Sequence, residues 1–437
     1  MNRIILIGNG FDLAHNIKTS YSHFIKNYWE KVIQDLKNEV SYNYTTHRRV
    51  FENNEIKINN VPGFWELGYW VKAEKYEDLI VLLDNLNLEL IFKNRFLEIL
   101  IQKHTEQNWV DIENEYYRLL KMSFKNNNCT YKIEELNNDF NQIKNLLESY
   151  LCEVEENFNA NFGTQVSDIH LRRNIGNKIY SPFQLKDFTE TSINKKAEIE
   201  YQKIYKILDV LNYPVNDDTD ITLELNEKIQ KIISKLGNHP TIKDIRKLLI
   251  SDSAINYFEL IPDEILFLNF NYTFIEKIYS DYSQFDLYDS KKIVTKQYIH
   301  IHGTTNKNDH NDVIFGFGDE IDEDYKSIEN LNDNTYLENI KSIKYLETDN
   351  YKQLLEFLNS GSYQIFIFGH SCGNSDRTLL NTLFEHKNCA SIKPYYHLKE
   401  NGSDNYSDII RNISRNFNSK AVMRDKVVNK LYCESLS

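Results

Sequence analysis

The side chains best suited to chemistry lie in three short stretches, the first almost at the N-terminus. Residues 4–7 (Ile-Ile-Leu-Ile) run directly into Gly8-Asn9-Gly10-Phe11-Asp12. A glycine loop that ends a first strand and opens a helix suits a nucleotide's phosphates. The glycines let the backbone approach closely, and the helix start offers free N–H groups. Leu13 stands where the third glycine of the dinucleotide fingerprint belongs, so a tight turn without ligand is an equal reading. Asp12 does not fit phosphates, which it repels. It fits a ribose hydroxyl, a developing positive charge, or the N-terminus of its own helix, where carboxylates are favoured.

The second stretch is split between "FLNFNYTFIEKIY" (267–279) and "YIHIHGTT" (298–305). Asn269 and Asn271 end a strand. Asparagine there forms turns, or places in a site an amide that donates and accepts together. Strand geometry puts Tyr298, His300 and His302 on one face, with Gly303 ending the run. Imidazole suits proton transfer near neutral pH. A metal on His-x-His would need a third ligand, and none has matching spacing, so no metal is expected. His300 fits a buried, hydrogen-bonded role better than His302.

The third stretch, "IFIFGHSCGNSDRTLLNTLF" (365–384), reads as strand, small-residue turn and helix. Its Gly369-His370-Ser371-Cys372-Gly373 satisfies the nucleophile-elbow pattern. Chain order opposes a hydrolase, because only His386 and His397 follow Ser371 and no acid-then-histidine pair is well spaced. The favoured reading is a second nucleotide loop, with Ser371 on a phosphate or ribose and Asp376 capping or bracing the helix.

These residues need a scaffold that unites both ends of the chain. Short runs rich in Ile, Phe and Tyr predict buried parallel strands at 4–7, 264–270, 297–303, 312–318, 364–371 and 393–398. Between the first and the rest lie helical stripes: Leu79, Leu83, Leu86 and Leu90; Ile133, Leu136, Phe140, Ile143 and Leu147; Leu225, Ile229, Ile232 and Leu236 before Gly237. The polar segment 160–195 reads as loop. The expected fold is α/β with a Rossmann-like, mostly parallel sheet. Residues 1–30 and 260–437 form its core, and 31–259 form a large, mostly helical insertion after the first strand.

The chain has 437 residues, 41% hydrophobic and 26% charged, the balance of an ordinary globular protein. A net charge of -13 opposes a broad grip on nucleic acid or an acidic membrane. The cysteines (129, 152, 372, 389 and 433) are odd in number and form no Cys-x-x-Cys pair. With no secretory leader or spanning segment, they predict reduced thiols and a cytoplasmic protein.

Taken in order, "LIGNGFDLAHNIKTSYSHF", "FNYT", "HIHG", "VIFGFGD" and "FGHSCGNSD" resemble the bacteriophage abortive infection AbiH family. "NWVDIENEY" (108–116) resembles a Trp-x-Asp-x-Glu segment carried on a helix in that family. More distantly the set is similar to the sirtuin-like NAD-binding domains of antiphage defence. That resemblance implies nucleotide contacts at Gly8, Asn9, Gly10, Phe11, Gly369, Ser371 and Asp376, a catalytic asparagine at Asn271 and a catalytic histidine at His302. Two departures stand out: Thr273 replaces an acid, and Asp12 replaces a small residue.

The function it implies is an antiphage effector that hydrolyses the nicotinamide–ribose bond of NAD, its substrate. Asn271 would hold the ribose or the attacking water, His302 would be the base, and Asp12 would stabilise the ribosyl cation. Asp111 and Glu113 sit half a turn apart on a helix, so they do not easily face one site together; they are pocket candidates, or equally solvated acids near a helix start. The implied partners are the nucleotide, a phage-encoded trigger or companion defence protein, and further copies of the chain. Two other readings stay open: a nucleotide sensor without catalysis, and a hydrolase using Ser371 or a metal at the His-x-His strand.

Overall fold

The computed structural model describes residues 1–42, 48–63, 72–107, 111–126, 129–211, 220–237, 239–280, 294–305 and 311–437. Its strands are, in chain order, β1 (Asn2–Ile7), β2 (Arg49–Glu52), β3 (Ile56–Val61), β4 (Leu90–Phe92), β5 (Glu264–Asn269), β6 (Thr295–His300), β7 (Tyr363–Phe368) and β8 (Cys389–Tyr395). Five of them form one sheet in the order β6-β5-β1-β7-β8, every neighbour parallel. Numbered among themselves these strands run 3-2-1-4-5, the order of open doubly wound sheets, and the connection reverses between β1 and β7.

Every residue of β1, β7 and β8 is buried, which explains apolar runs with little alternation. Successive side chains still part to opposite faces. Ile4, Leu6, Ile365 and Ile367 meet helices Asn350–Ser360, Arg377–Glu385 and Tyr406–Arg415. Ile5, Ile7, Phe366 and Phe368 meet Phe11, Ile175, Ile179 and Tyr279 on the other face. At roughly 25 cal/mol per Å² of apolar area, this double cover is the main driving force holding the two chain ends together.

Several expectations are corrected. Residues 312–318 form no strand. Gly316 has φ 155°, and Phe315 and Phe317 turn away from the sheet to stack on Phe140 and Tyr117 of the insertion, with centroids 4.8 and 3.9 Å apart. The run is apolar because it packs against helices. β6 stops at His300 and the chain turns, Gly303 taking φ 76°, so His302 lies past the strand and does not share His300's surroundings. β8 begins at Cys389, ahead of the expected 393, and ends at Tyr395.

The segment 160–195 holds helix Val166–Ile179 and the start of helix Glu190–Leu211. Its apolar residues are sparse and gather at one end, where Ile175 and Ile179 reach under the sheet. The insertion also carries a small antiparallel sheet, β2-β3-β4, whose strands of three to six residues are too short and polar to show a pattern.

The expected boundary at residue 30 falls inside helix Tyr21–Tyr42, whose Phe24, Trp29 and Leu36 belong to the insertion's core. That core takes in the stripe Ile133, Leu136, Phe140, Ile143 and Leu147. A separate cluster gathers residues 183–260, including Ile229 and Ile232. Trp109 and the Leu225 side chain lie outside the described residues. No helix among the described residues is long and apolar enough to cross a membrane.

Candidate active site

The loops after β1 and β7 meet backbone to backbone. Gly8 N donates to Phe368 O at 3.1 Å, and Gly10 N donates to Gly369 O at 2.8 Å. A Cβ on Gly8 would lie 2.5 Å from His370 Cα, and one on Gly10 2.8 Å from Gly369 O. Gly369, at φ 71°, would place a Cβ 2.0 Å from Phe11 N. The glycines therefore allow two loops from opposite ends of the chain to close on each other. Two of the amides expected to face phosphate are occupied in this contact.

Beside the contact lies a cavity of about 340 Å³. Its wall includes Gly8, Asn9, Gly10, Asp12, Asn271, His302, Gly369, Ser371 and Asp376. Phe11 is not part of it. Its ring packs under the sheet, 4.6 Å from that of His15 and 6.3 Å from that of Phe368.

One pole of the cavity is Asp12, 1% exposed. Asn271 Nδ2 donates to its Oδ1 at 2.8 Å and Thr273 Oγ1 to its Oδ2 at 2.7 Å. Burial pushes the Asp12 carboxyl up to about 7, with Glu276 and Glu155 adding to the shift and the two hydrogen bonds opposing it. Thr273 hands its hydroxyl to the acid of the first loop.

The other pole is a buried ion cluster. Lys341 Nζ lies 2.8 Å from Glu113 Oε2 and 2.9 Å from Asp376 Oδ1. Burial disfavours the Asp376 carboxylate, but Lys341, His302 and His370 outweigh it and hold the group well below the usual range. Burial raises Glu113 to about 7 despite Lys341, and the charges of Asp376 and Asp111 add to the rise. Asp376 therefore anchors ions across the loop; its side chain makes no cap bond to the helix it was expected to cap or brace.

Both ring nitrogens of His302 are engaged, Nδ1 with Phe270 O and Nε2 with Tyr345 Oη, each at 3.2 Å; Nε2 also lies 3.2 Å from Asp376 Oδ1. Burial and then the Lys341 charge lower its pKa to about 4, against the opposing pull of Asp376. His370 Nδ1 accepts Cys372 N–H at 2.9 Å, which leaves Nε2–H facing Asp376 Oδ2 at 3.6 Å.

Asp111 and Glu113, both pocket candidates, line the cavity together, which the helical half-turn argument opposed. Asp111 is not in the helix but caps it: its Oδ1 accepts Asn114 N–H at 3.1 Å. An N-cap has extended backbone, so the helical half-turn argument does not apply to it. Lys341 was missed entirely, since nothing in "ENIKSIKYLE" (338–347) distinguishes one lysine from its neighbours. His370 was passed over inside a motif read for its serine.

Ser371 is exposed at the rim, and among the described residues no histidine bonds its hydroxyl. The left-handed residues of that turn are Gly369 and Cys372, at φ 71° and 55°, and not Ser371. His300 is remote from the wall and donates Nε2–H to Glu276 Oε1 at 2.9 Å. Among the described residues no group of three or more His, Cys, Asp and Glu side chains is arranged to hold a metal ion.

The described wall thus carries four carboxyl side chains (Asp12, Asp111, Glu113 and Asp376) against one lysine, Lys341. Such a site suits a cationic group or a developing cation more than a bare phosphate. Fold and site together define an α/β protein with its cavity at the C-terminal ends of a doubly wound sheet, where connections reverse. The chain belongs to the bacteriophage abortive infection AbiH family, whose model matches residues 4–397. Its role is accordingly in antiphage abortive infection. No curated protein and no solved structure matches the chain.

Proposed function

We propose that the cavity hydrolyses the nicotinamide–ribose bond of NAD, in a sirtuin-like domain, and so depletes the cofactor in an infected cell. The observation that carries this reading is Asp12, a buried acid clamped at both oxygens by Asn271 and Thr273 on a wall rich in carboxyl groups. The nicotinamide ring of NAD is a cation, and its departure leaves a ribosyl oxocarbenium. The C1′–N bond breaks with its electron pair going to nitrogen, so nicotinamide leaves neutral and needs no acid. Water adds to C1′ and loses a proton, giving ADP-ribose.

The chain's work is then to place the ribose, favour positive charge at C1′ and accept that proton. Asp12 does the last two, being poised between its protonation states near neutrality. Asn271 holds Asp12 through its amide N–H and offers its amide oxygen to the ribose or the water. His302, with both nitrogens engaged, is better suited to holding the Asp376 cluster than to acting as the base.

The test is nicotinamide release from NAD by purified protein, paired with cellular NAD after phage challenge. Wild type should release nicotinamide and lower NAD, and Asp12→Asn and Asn271→Ala should do neither. Protection from phage with NAD unchanged would sink the proposal. Tight binding of NAD without release would favour a sensor.

A further inference from the structure

We propose that Asn269, Glu276 and His300, all outside the cavity wall, form a buried positioning set that aims Asn271 and Thr273 at Asp12 and places a second negative charge behind it. The inference rests on Asp12 as the reacting carboxylate, but its test does not require turnover.

Asn269 is the last residue of β5, and its one side chain ties both ends of the turn that follows. Its Oδ1 accepts Asn271 N–H at 2.8 Å, while Nδ2 donates to Thr273 O at 2.9 Å and to Glu276 Oε2 at 2.7 Å. The two residues that bond Asp12 are thus held by a third that does not touch it. The turn is pinned to the sheet besides, Phe270 N donating to Ile7 O at 3.0 Å.

Glu276 is fully buried in the turn Ile275–Tyr279, and both its oxygens accept N–H donors, the second from His300 Nε2 at 2.9 Å. Among the described residues His300 Nδ1 is buried with no hydrogen-bond partner. A hydrogen on Nδ1 would be buried unpaired there, so it is Nε2 that carries the hydrogen donated to Glu276.

The charged groups facing Asp12 are Glu276 and, from helix Ile133–Asn161, Glu155, which accepts Phe274 N–H at 2.8 Å. His15, one turn along Asp12's own helix, has its ring nitrogens on Phe11 O and Tyr279 Oη, both at 2.7 Å. Among the described residues no lysine or arginine bonds Asp12. Removing the Glu276 charge should therefore make Asp12 ionise more readily.

The experiment follows the Asp12 carboxyl by ¹³C NMR in Asp-labelled protein, assigned by difference against Asp12→Asn, for wild type and Glu276→Gln. In the variant His300 can meet the new amide only as the Nδ1–H tautomer, at the cost of a buried unpaired N–H, so a melting scan first establishes that the variant is folded. The expected result is a fall of about one pH unit in the Asp12 midpoint. An unchanged midpoint in folded Glu276→Gln overturns the proposal. In Asn269→Ala, kcat for nicotinamide release should fall about 10²-fold with KM little changed; a folded variant with kcat intact also overturns it. If wild type releases no nicotinamide, the glycohydrolase reading falls, and the Asp12 midpoint still decides this one.

Discussion

Asn271 donates its side-chain amide to Asp12 Oδ1 at 2.8 Å across 259 residues of chain. The bond is buried at both ends and joins the loop after β1 to the turn after β5, strands that are parallel neighbours. A carboxylate so placed loses its water and regains only two hydrogen bonds, which accounts for its raised pKa.

That pKa has a consequence for stability. Asp12 has a folded value near 7 against an ordinary 3.8, so between these pH values the folded state binds the extra proton. Stability therefore falls as pH rises through that window. Asp12→Asn removes this contribution, and its melting temperature should decline less than wild type's between pH 5 and 8. Equal slopes in the two proteins would show that Asp12 is not the group titrating.

Lys341 balances Glu113 and Asp376, and is 1% exposed. Lys341→Met leaves two buried carboxylates facing each other and should cost about 3–5 kcal/mol in denaturant unfolding. Adding Glu113→Gln should recover part of the loss, because only one anion then remains. A single variant as stable as wild type would mean the cluster is more hydrated than its burial indicates.

Gly369 and Gly237 both have positive φ, 71° and 87°, but a Cβ on Gly237 would meet nothing within 4 Å. Gly237→Ala should cost about 1–2 kcal/mol, the left-handed penalty alone. Gly369→Ala must also push Phe11 N away from the interloop contact, so its loss should be larger, with nucleotide binding reduced as well. Equal losses in the two variants would mean that the loops are not packed against each other.

Ser371→Ala separates the elbow reading from a cavity-rim residue. With no histidine on its hydroxyl among the described residues and the strained conformation at Cys372, kcat should stay within about threefold, any loss appearing in KM. A fall of 10³-fold or more, as expected for a nucleophile, would revive the hydrolase.

Much of the site was legible because its residues sit at strand ends, where short apolar runs stop at Gly or Asn. Asp12, Asn271, His302, Gly369 and Asp376 were named that way, and all line one cavity. The roles were less legible. Asp376 was expected to cap or brace a helix and His302 to take a proton; Asp376 makes no cap bond, and both are tied to Lys341 or its partners. Asp111 and Glu113 were separated by a helical angle that does not hold at an N-cap.

The sequence by itself determined the elements that bury themselves: five apolar strands, the helical stripes between them, and the turns that end strands at Gly8, Asn269 and Gly369. Local burial and backbone preference suffice for these, because each depends on residues a few positions apart. Only the tertiary structure decided which turns meet, that 312–318 faces helices and not a strand, and which acids are paired. A carboxyl group's charge depends on neighbours in space and on the water it has lost, and for Asp12 those neighbours lie more than a hundred residues away, at Glu155, Asn271, Thr273 and Glu276.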